Sequence, residues 1–156
     1  MRVVVQRVLS AEVRVNNVIV GSCNHGYMLL VGFTAGDNED TASLMAQKIA
    51  TLRIFEDDMG KMNLSLTQIG GEILSISQFT LYADTTIGRR PSFIKAMEPI
   101  EAERLYCIFN KCLSNLGFKV GTGVFGGDMK VALINDGPVT ILIDSMEFPS
   151  SKLRAR

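Results

Sequence analysis

Ser77-Gln78-Phe79-Thr80 puts two hydroxyls, a carboxamide and a run of backbone N–H groups directly behind the apolar stretch Ile73-Leu74-Ser75-Ile76. A strand that ends this way can aim successive main-chain donors at a developing negative charge, which is the chemistry of an oxyanion hole. The same cluster equally suits turn and capping hydrogen bonds. A second candidate is Asn135-Asp136-Gly137-Pro138-Val139-Thr140, set between two apolar runs. Glycine is conformationally permissive and proline removes a donor, so Gly137-Pro138 can expose carbonyl oxygens that no strand claims, or form an ordinary turn. The isomer of that bond is not readable from sequence, because only about 5–6% of X–Pro bonds in folded proteins are cis. The glycine-rich stretch 121–129 carries Phe125 and Met129 but lacks the lysine of a phosphate-binding loop, and it suits a flexible pocket wall. Arg89, Arg90, Lys95 and the basic tail at residues 150–156 offer local positive charge for phosphates, or a solvated surface.

Several chemistries are disfavoured. A Ser, Thr or Cys nucleophile needs a neighbouring base, and the chain has 1 His, placed in the turn-like Asn24-His25-Gly26. The 3 cysteines lack metal-ligand spacing, and Cys107 and Cys112 read as reduced core thiols. Acidic groups such as Glu56-Asp57-Asp58 read as a solvated loop. No metal and no cofactor is expected.

The elements that must position these residues follow from period. Residues 2–8 and 12–15 read as strands, with Asn16-Asn17 as a two-residue turn into Val18-Ile19-Val20. The continuous apolar run 27–33 suits a strand buried on both faces at the middle of a sheet. Ala42, Met45, Ile49 and Leu52 recur at helical spacing. Pro99 opens a second helix whose stripe is Ala102, Leu105, Tyr106, Phe109, Cys112, Leu113 and Leu116, ended by Gly117. Residues 72–77 read as a strand running straight into 78–82, and 129–134 and 139–143 as two strands separated by a turn at 135–138. This gives an α/β class: one strand-rich domain over residues 1–149, a mixed sheet or partly closed barrel with two covering helices, then the tail. A chain of 156 residues, 47% of them hydrophobic, suits a single core. Its 16 basic and 16 acidic residues cancel, so any RNA contact must be local. No membrane span or signal peptide is legible, and a cytoplasmic protein without membrane contact is expected.

Taken in order, Val4-Val5-Gln6-Arg7-Val8, Lys61-Met62-Asn63-Leu64-Ser65, Ser77-Gln78-Phe79-Thr80-Leu81, Arg90-Pro91-Ser92-Phe93, Phe125-Gly126 with Asp128-Met129, and Asn135-Asp136-Gly137-Pro138-Val139-Thr140 resemble the D-aminoacyl-tRNA deacylase (D-tyrosyl-tRNA deacylase) family over nearly the whole chain. The resemblance implies a homodimer with its active site at the interface, where Gly137-Pro138 of one chain, joined by a cis bond, enters the pocket of the other. Carbonyl oxygens there face the substrate's chiral centre and exclude an L side chain, so D-amino acids, and glycine, pass. It implies that main-chain groups around Ser77, Gln78, Phe79 and Thr80 serve the ester carbonyl. It also puts Phe125, Met129, Asn135 and Thr140 around the pocket and Arg89, Arg90 and Lys95 near tRNA. Thr80 as nucleophile fits the absence of a base less well than water attack helped by a hydroxyl of the tRNA's terminal ribose. Two rivals stand beside this: a noncatalytic RNA-binding module of the same fold, and a small-molecule enzyme using the glycine-rich loop.

Overall fold

The computed structural model describes residues 1–148. The basic tail at 150–156 lies outside the described residues. The chain opens with β1 (Arg2–Val15), which turns through Asn16 and Asn17 into β2 (Val18–Cys23). Both asparagines take left-handed backbone, φ 50° and 64°, which Asn tolerates better than most residues. The two strands expected at 2–8 and 12–15 are one: β1 pairs antiparallel with β3 (Gly26–Gly32) through residues 2–8 and with β2 through residues 11–15. Leu9 and Ser10 sit at the change of partner, which is why the alternation lapses there.

After β3 come α1 (Glu39–Ala50), the short hairpin β4 (Arg53–Glu56) and β5 (Met62–Ser65), β6 (Glu72–Ser77), α2 (Pro99–Asn115), β7 (Val120–Thr122) and β8 (Lys130–Asp144). The main sheet runs β2-β1-β3-β6-β7, with β3, β6 and β7 mutually parallel and β8 on the outer side of β1. β2 and β7 come together and nearly close the barrel. Glycine permits this: a Cβ on Gly21 would lie 2.3 Å from Thr122 O, and one on Gly121 2.6 Å from Ser22 O. β3 is central, and its continuous apolar run serves two cores. Tyr27, Leu29 and Val31 pack with the helices, whereas Met28 packs inside the barrel with Val8, Val13, Leu74 and Ile76.

Asn38 caps α1 by accepting from Thr41 N at 3.0 Å. Pro99 starts α2, and the Glu98 carboxylate accepts from Ile100 N and Glu101 N. The α2 stripe buries Ala102, Leu105, Tyr106, Phe109 and Leu113, but Leu116 lies past the last helical residue and is exposed. Cys107 is likewise exposed, on the outer face of α2, so it is no core thiol. Cys23 is buried, and burial pushes its thiol up to about 11. All three cysteines are free. Among the described residues no helix is long and apolar enough to cross a membrane.

Candidate active site

The pocket forms where the parallel strands β3 and β6 end. Val31 pairs with Ser77, and Gln78 N donates to Val31 O at 2.7 Å as the last bond of that edge. The chain does not continue as a strand. It winds into a 3-10 turn, Phe79–Tyr82, closed by Leu81 N to Gln78 O (3.2 Å) and Ala83 N to Thr80 O (3.0 Å). Glycine at position 32 permits the close approach of this turn: a Cβ there would lie 2.8 Å from Gln78 O. Arg2 pins the far end, its Nη1 donating to Leu81 O at 3.0 Å while its Nε holds Asp144 at 2.7 Å. Because the first N–H groups of a helical turn have no partner within it, Phe79 N and Thr80 N are left over as donors among the described residues, whereas Gln78 N is already spent. The Thr80 hydroxyl accepts from Gln78 Nε2, and among the described residues no acid or imidazole is bonded to it.

A pocket of about 710 Å³ opens beside this turn. Its walls include Ser77, Gln78, Phe79, Phe93, Phe125 and Met129. Phe79 is exposed and meets Phe93 edge to face, ring centroids 5.0 Å apart. Met129 is seated over Gly123, where a Cβ would lie 2.4 Å from its sulfur. The two carboxylates on the wall, Glu98 and Asp128, are occupied, the first as the α2 cap and the second with Lys130 Nζ at 2.7 Å. Thr80, Asn135, Gly137, Pro138 and Thr140 are not among the lining residues.

Gly137-Pro138 is elsewhere. The expected turn at 135–138 is a bulge within one long strand, β8: Gln6 pairs with Thr140 and Val8 with Asn135, so residues 136–139 stand opposite Arg7 alone. The Gly137-Pro138 bond is cis, and Gly137 has φ +128°. Arg7 fills the space behind the bulge and is 3% exposed. Its Nε donates to Asp136 O at 3.1 Å and its Nη1 to Ile54 O at 2.7 Å, and it pairs with the Asp136 carboxylate at 3.2 Å. His25 Nε2 lies 4.0 Å from that carboxylate. Asn135 and Thr140 use their side chains locally. Asn135 bonds both N and O of Val139, and Thr140 Oγ1 accepts from Gln6 Nε2 at 3.2 Å. Arg7 was missed from the sequence, although the signal was there: it follows Val3 and Val5 at strand spacing, so a charged group falls on the inward face.

Within one chain, bulge and pocket are well apart. Arg7 pairs with Tyr27, whereas Ser77 pairs with Val31, four residues farther along β3 and across three strand spacings from β8. With about 3.3 Å per residue and about 4.8 Å per strand, the separation is roughly 20 Å.

Beside the pocket, Asp84 and Ser92 bond through both backbone groups (2.7 and 2.9 Å) and close the loop that carries Arg89 and Arg90, both exposed. Lys95 braces this loop through Asp84 Oδ2 at 2.7 Å. The Lys95 ammonium, with the Thr86 hydroxyl and N–H, holds the Asp84 carboxyl well below the ordinary carboxylate range.

Fold and pocket together define an α/β barrel protein with a pocket at the carboxyl ends of the parallel strands β3 and β6, beside the 79–82 turn. Residues 4–144 match the family model for D-Tyr-tRNA(Tyr) deacylase. Proteins named D-aminoacyl-tRNA deacylase from Geobacillus sp. (strain WCH70) and Thermus aquaticus are 54% and 51% identical to this chain, each over 152 residues, covering 97% of it and 100% of the relative. A solved structure described as "c-Myc DNA Unwinding Element Binding Protein" superposes with a TM-score of 0.86 at 36% identity, covering 92% of this chain and 98% of its own. Another, "Structural Analysis of a probable eukaryotic D-amino acid tRNA deacylase", shares the fold at a TM-score of 0.80 and 19% identity over 91% of this chain and 97% of its own. The chain belongs to the D-Tyr-tRNA(Tyr) deacylase family.

Proposed function

We propose that this chain hydrolyses the ester between a D-amino acid, or glycine, and tRNA, in a site assembled from two copies of itself. The observation that carries the reading is the pairing of a base-free pocket, beside which the 79–82 turn leaves Phe79 N and Thr80 N without partners in the turn, with an exposed Gly137-Pro138 bulge roughly 20 Å away on the same chain. β8 pairs only with β1 among the described strands, so its other edge is open to a second copy. Across such an interface the bulge of one protomer reaches the pocket of its partner.

In this site the two N–H groups receive the oxyanion as water adds to the ester carbonyl carbon; the tetrahedral intermediate then collapses with cleavage of the bond between that carbon and the ribose oxygen, which takes up a proton given up by the attacking water, and the free amino acid and tRNA separate. Each such donor is worth about 10²–10³ in turnover. The neighbouring hydroxyl of the terminal ribose assists the water, a role to which the described residues bring no free base beside the turn: Thr80 is bonded to an amide, and His25 lies at the other end of the barrel. Carbonyl oxygens of Gly137 and Pro138 meet the face of the α-carbon that an L side chain would occupy. Since they screen the α-carbon and not the side chain, many D-amino acids are accepted, and glycine has nothing to exclude. Phe125 and Met129 wall the pocket, and Arg89 and Arg90 take phosphates of the acceptor end, with Lys95 holding their loop in place.

The test is ester loss from D-tyrosyl-, L-tyrosyl- and glycyl-tRNA. Release of D-tyrosine and glycine with the L ester preserved supports the reading. Equal protection of all three identifies a binding module instead, and equal loss of all three removes the chiral filter.

A further inference from the structure

Four bulge residues, 136–139, have no partner in the β1–β8 register. Something must therefore hold the direction in which the Gly137 and Pro138 carbonyls leave the chain. On the near side Arg7 does this for Asp136, whose carbonyl it binds at 3.1 Å. On the far side the Asn135 carboxamide takes over both polar backbone groups of Val139, accepting from its N–H at 2.9 Å and donating to its carbonyl at 3.1 Å. The Val139 N–H needs an acceptor, which fixes the orientation of the amide, and the amide nitrogen then faces Val139 O. Val139 is 8% exposed, so without Asn135 these two groups would be buried with no strand partner. A carboxamide is suited to the task because one planar group both donates and accepts; a carboxylate of the same length only accepts.

We infer that Asn135 is a positioning residue for chiral selection: its two-point bond to Val139 closes residues 135–139 into a ring and fixes the direction of the Gly137 and Pro138 carbonyls. This rests on the reading above, in which those carbonyls screen the α-carbon. Loss of the ring leaves the ladder intact at Ile134 and Thr140, leaves Arg7 in place and leaves the pocket untouched, because Asn135 is not in its wall. Selectivity changes, then, at some cost in stability, while the fold and tRNA binding are kept.

The experiment compares kcat/KM on D- and L-tyrosyl-tRNA for the wild type, Asn135→Ala, Asn135→Asp and Pro138→Ala, with thermal unfolding of each. Asn135→Ala should lower the D/L ratio at least tenfold, with KM for the D substrate within twofold of wild type. Asn135→Asp keeps the acceptor for Val139 N and loses the donor, so it should lower the ratio about threefold or more but less than Ala does. A folded Asn135 variant whose ratio stays within twofold of wild type overturns the positioning role. So does failure of both variants to fold, which would assign Asn135 to strand stability alone. A wild type that does not favour the D substrate overturns the function itself, and a ratio that moves in Pro138→Ala but not in the Asn135 variants overturns only the inference about Asn135.

Discussion

Comparing Phe79→Pro with Phe79→Ala isolates a single backbone donor. Both substitutions remove the exposed ring that meets Phe93, but only proline removes the Phe79 N–H. Phe79 is the first residue of a 3-10 turn, the position at which proline's fixed φ and missing N–H are best tolerated. That N–H has no acceptor in the turn, so no intramolecular hydrogen bond is lost. The two variants should therefore unfold within about 1 kcal/mol of each other. Removing one of two oxyanion donors should lower kcat for D-tyrosyl-tRNA hydrolysis by about 10²–10³, or roughly 2.7–4 kcal/mol of transition-state stabilisation, relative to Phe79→Ala. Single-turnover release of labelled tyrosine measures this directly. If Phe79→Pro turns over within threefold of Phe79→Ala, the Phe79 N–H is not an oxyanion donor and the catalytic reading of the turn fails.

Other outcomes follow from the same geometry. Gly137→Ala puts a Cβ 2.8 Å from Val139 Cγ2 and 3.0 Å from Arg7 Nη2 at a φ of +128°, so it should destabilise the fold. About 1–2 kcal/mol arises from the backbone and about as much from the disturbed guanidinium contacts, and urea unfolding should register roughly 3 kcal/mol. Less than about 1 kcal/mol would contradict the tight packing. Thr80→Ala should retain turnover within tenfold of wild type, whereas removing the 2′-hydroxyl of the terminal ribose from a 3′-charged tRNA should lower it by two or more orders of magnitude; the reverse pattern would make Thr80 the nucleophile. The Asp84 carboxyl is held below its ordinary value of 3.8, so its contribution to loop closure is fully present above pH 3.8 and is lost as pH falls below it toward the folded-state value. Carbon NMR of that carboxyl should give a midpoint under 3.8, and a midpoint at or above it would dissolve the Lys95 brace.

The parts of the fold legible in the sequence are those governed by local period. The hairpin at Asn16-Asn17, the two helices and the doubly buried β3 follow from spacing that the backbone converts directly into faces. β8 was not legible as one strand, because Asn135-Asp136-Gly137-Pro138 has turn composition and only pairing on both sides with β1 turns it into a bulge. The short hairpin β4–β5 escaped for the opposite reason: it has few residues and little apolar alternation, and it is set by Asp57, which accepts from Met59 N and Lys61 N in its turn. Of the candidate site, the residues could be nominated but not their distances. Nothing in the order of Ser77 and Gly137 tells that the sheet puts them at opposite ends of β3. Nor does composition tell that Lys95 is spent on Asp84, or that Asn135 and Thr140 bond backbone and Gln6 rather than facing the pocket.

The measurement that bears most directly on the two-chain site is subunit complementation. One variant carries Ala96→Trp, which fills the pocket, and the other carries Pro138→Ala in the bulge, each in homodimeric form poor at selective D-tyrosyl-tRNA hydrolysis. Mixed and re-associated, they should regain D-selective turnover, because each heterodimer holds one site with an intact pocket and an intact bulge. If the mixture stays at the level of the separate variants while exchange of subunits is demonstrated, pocket and bulge do not meet across an interface, and the proposed site is wrong.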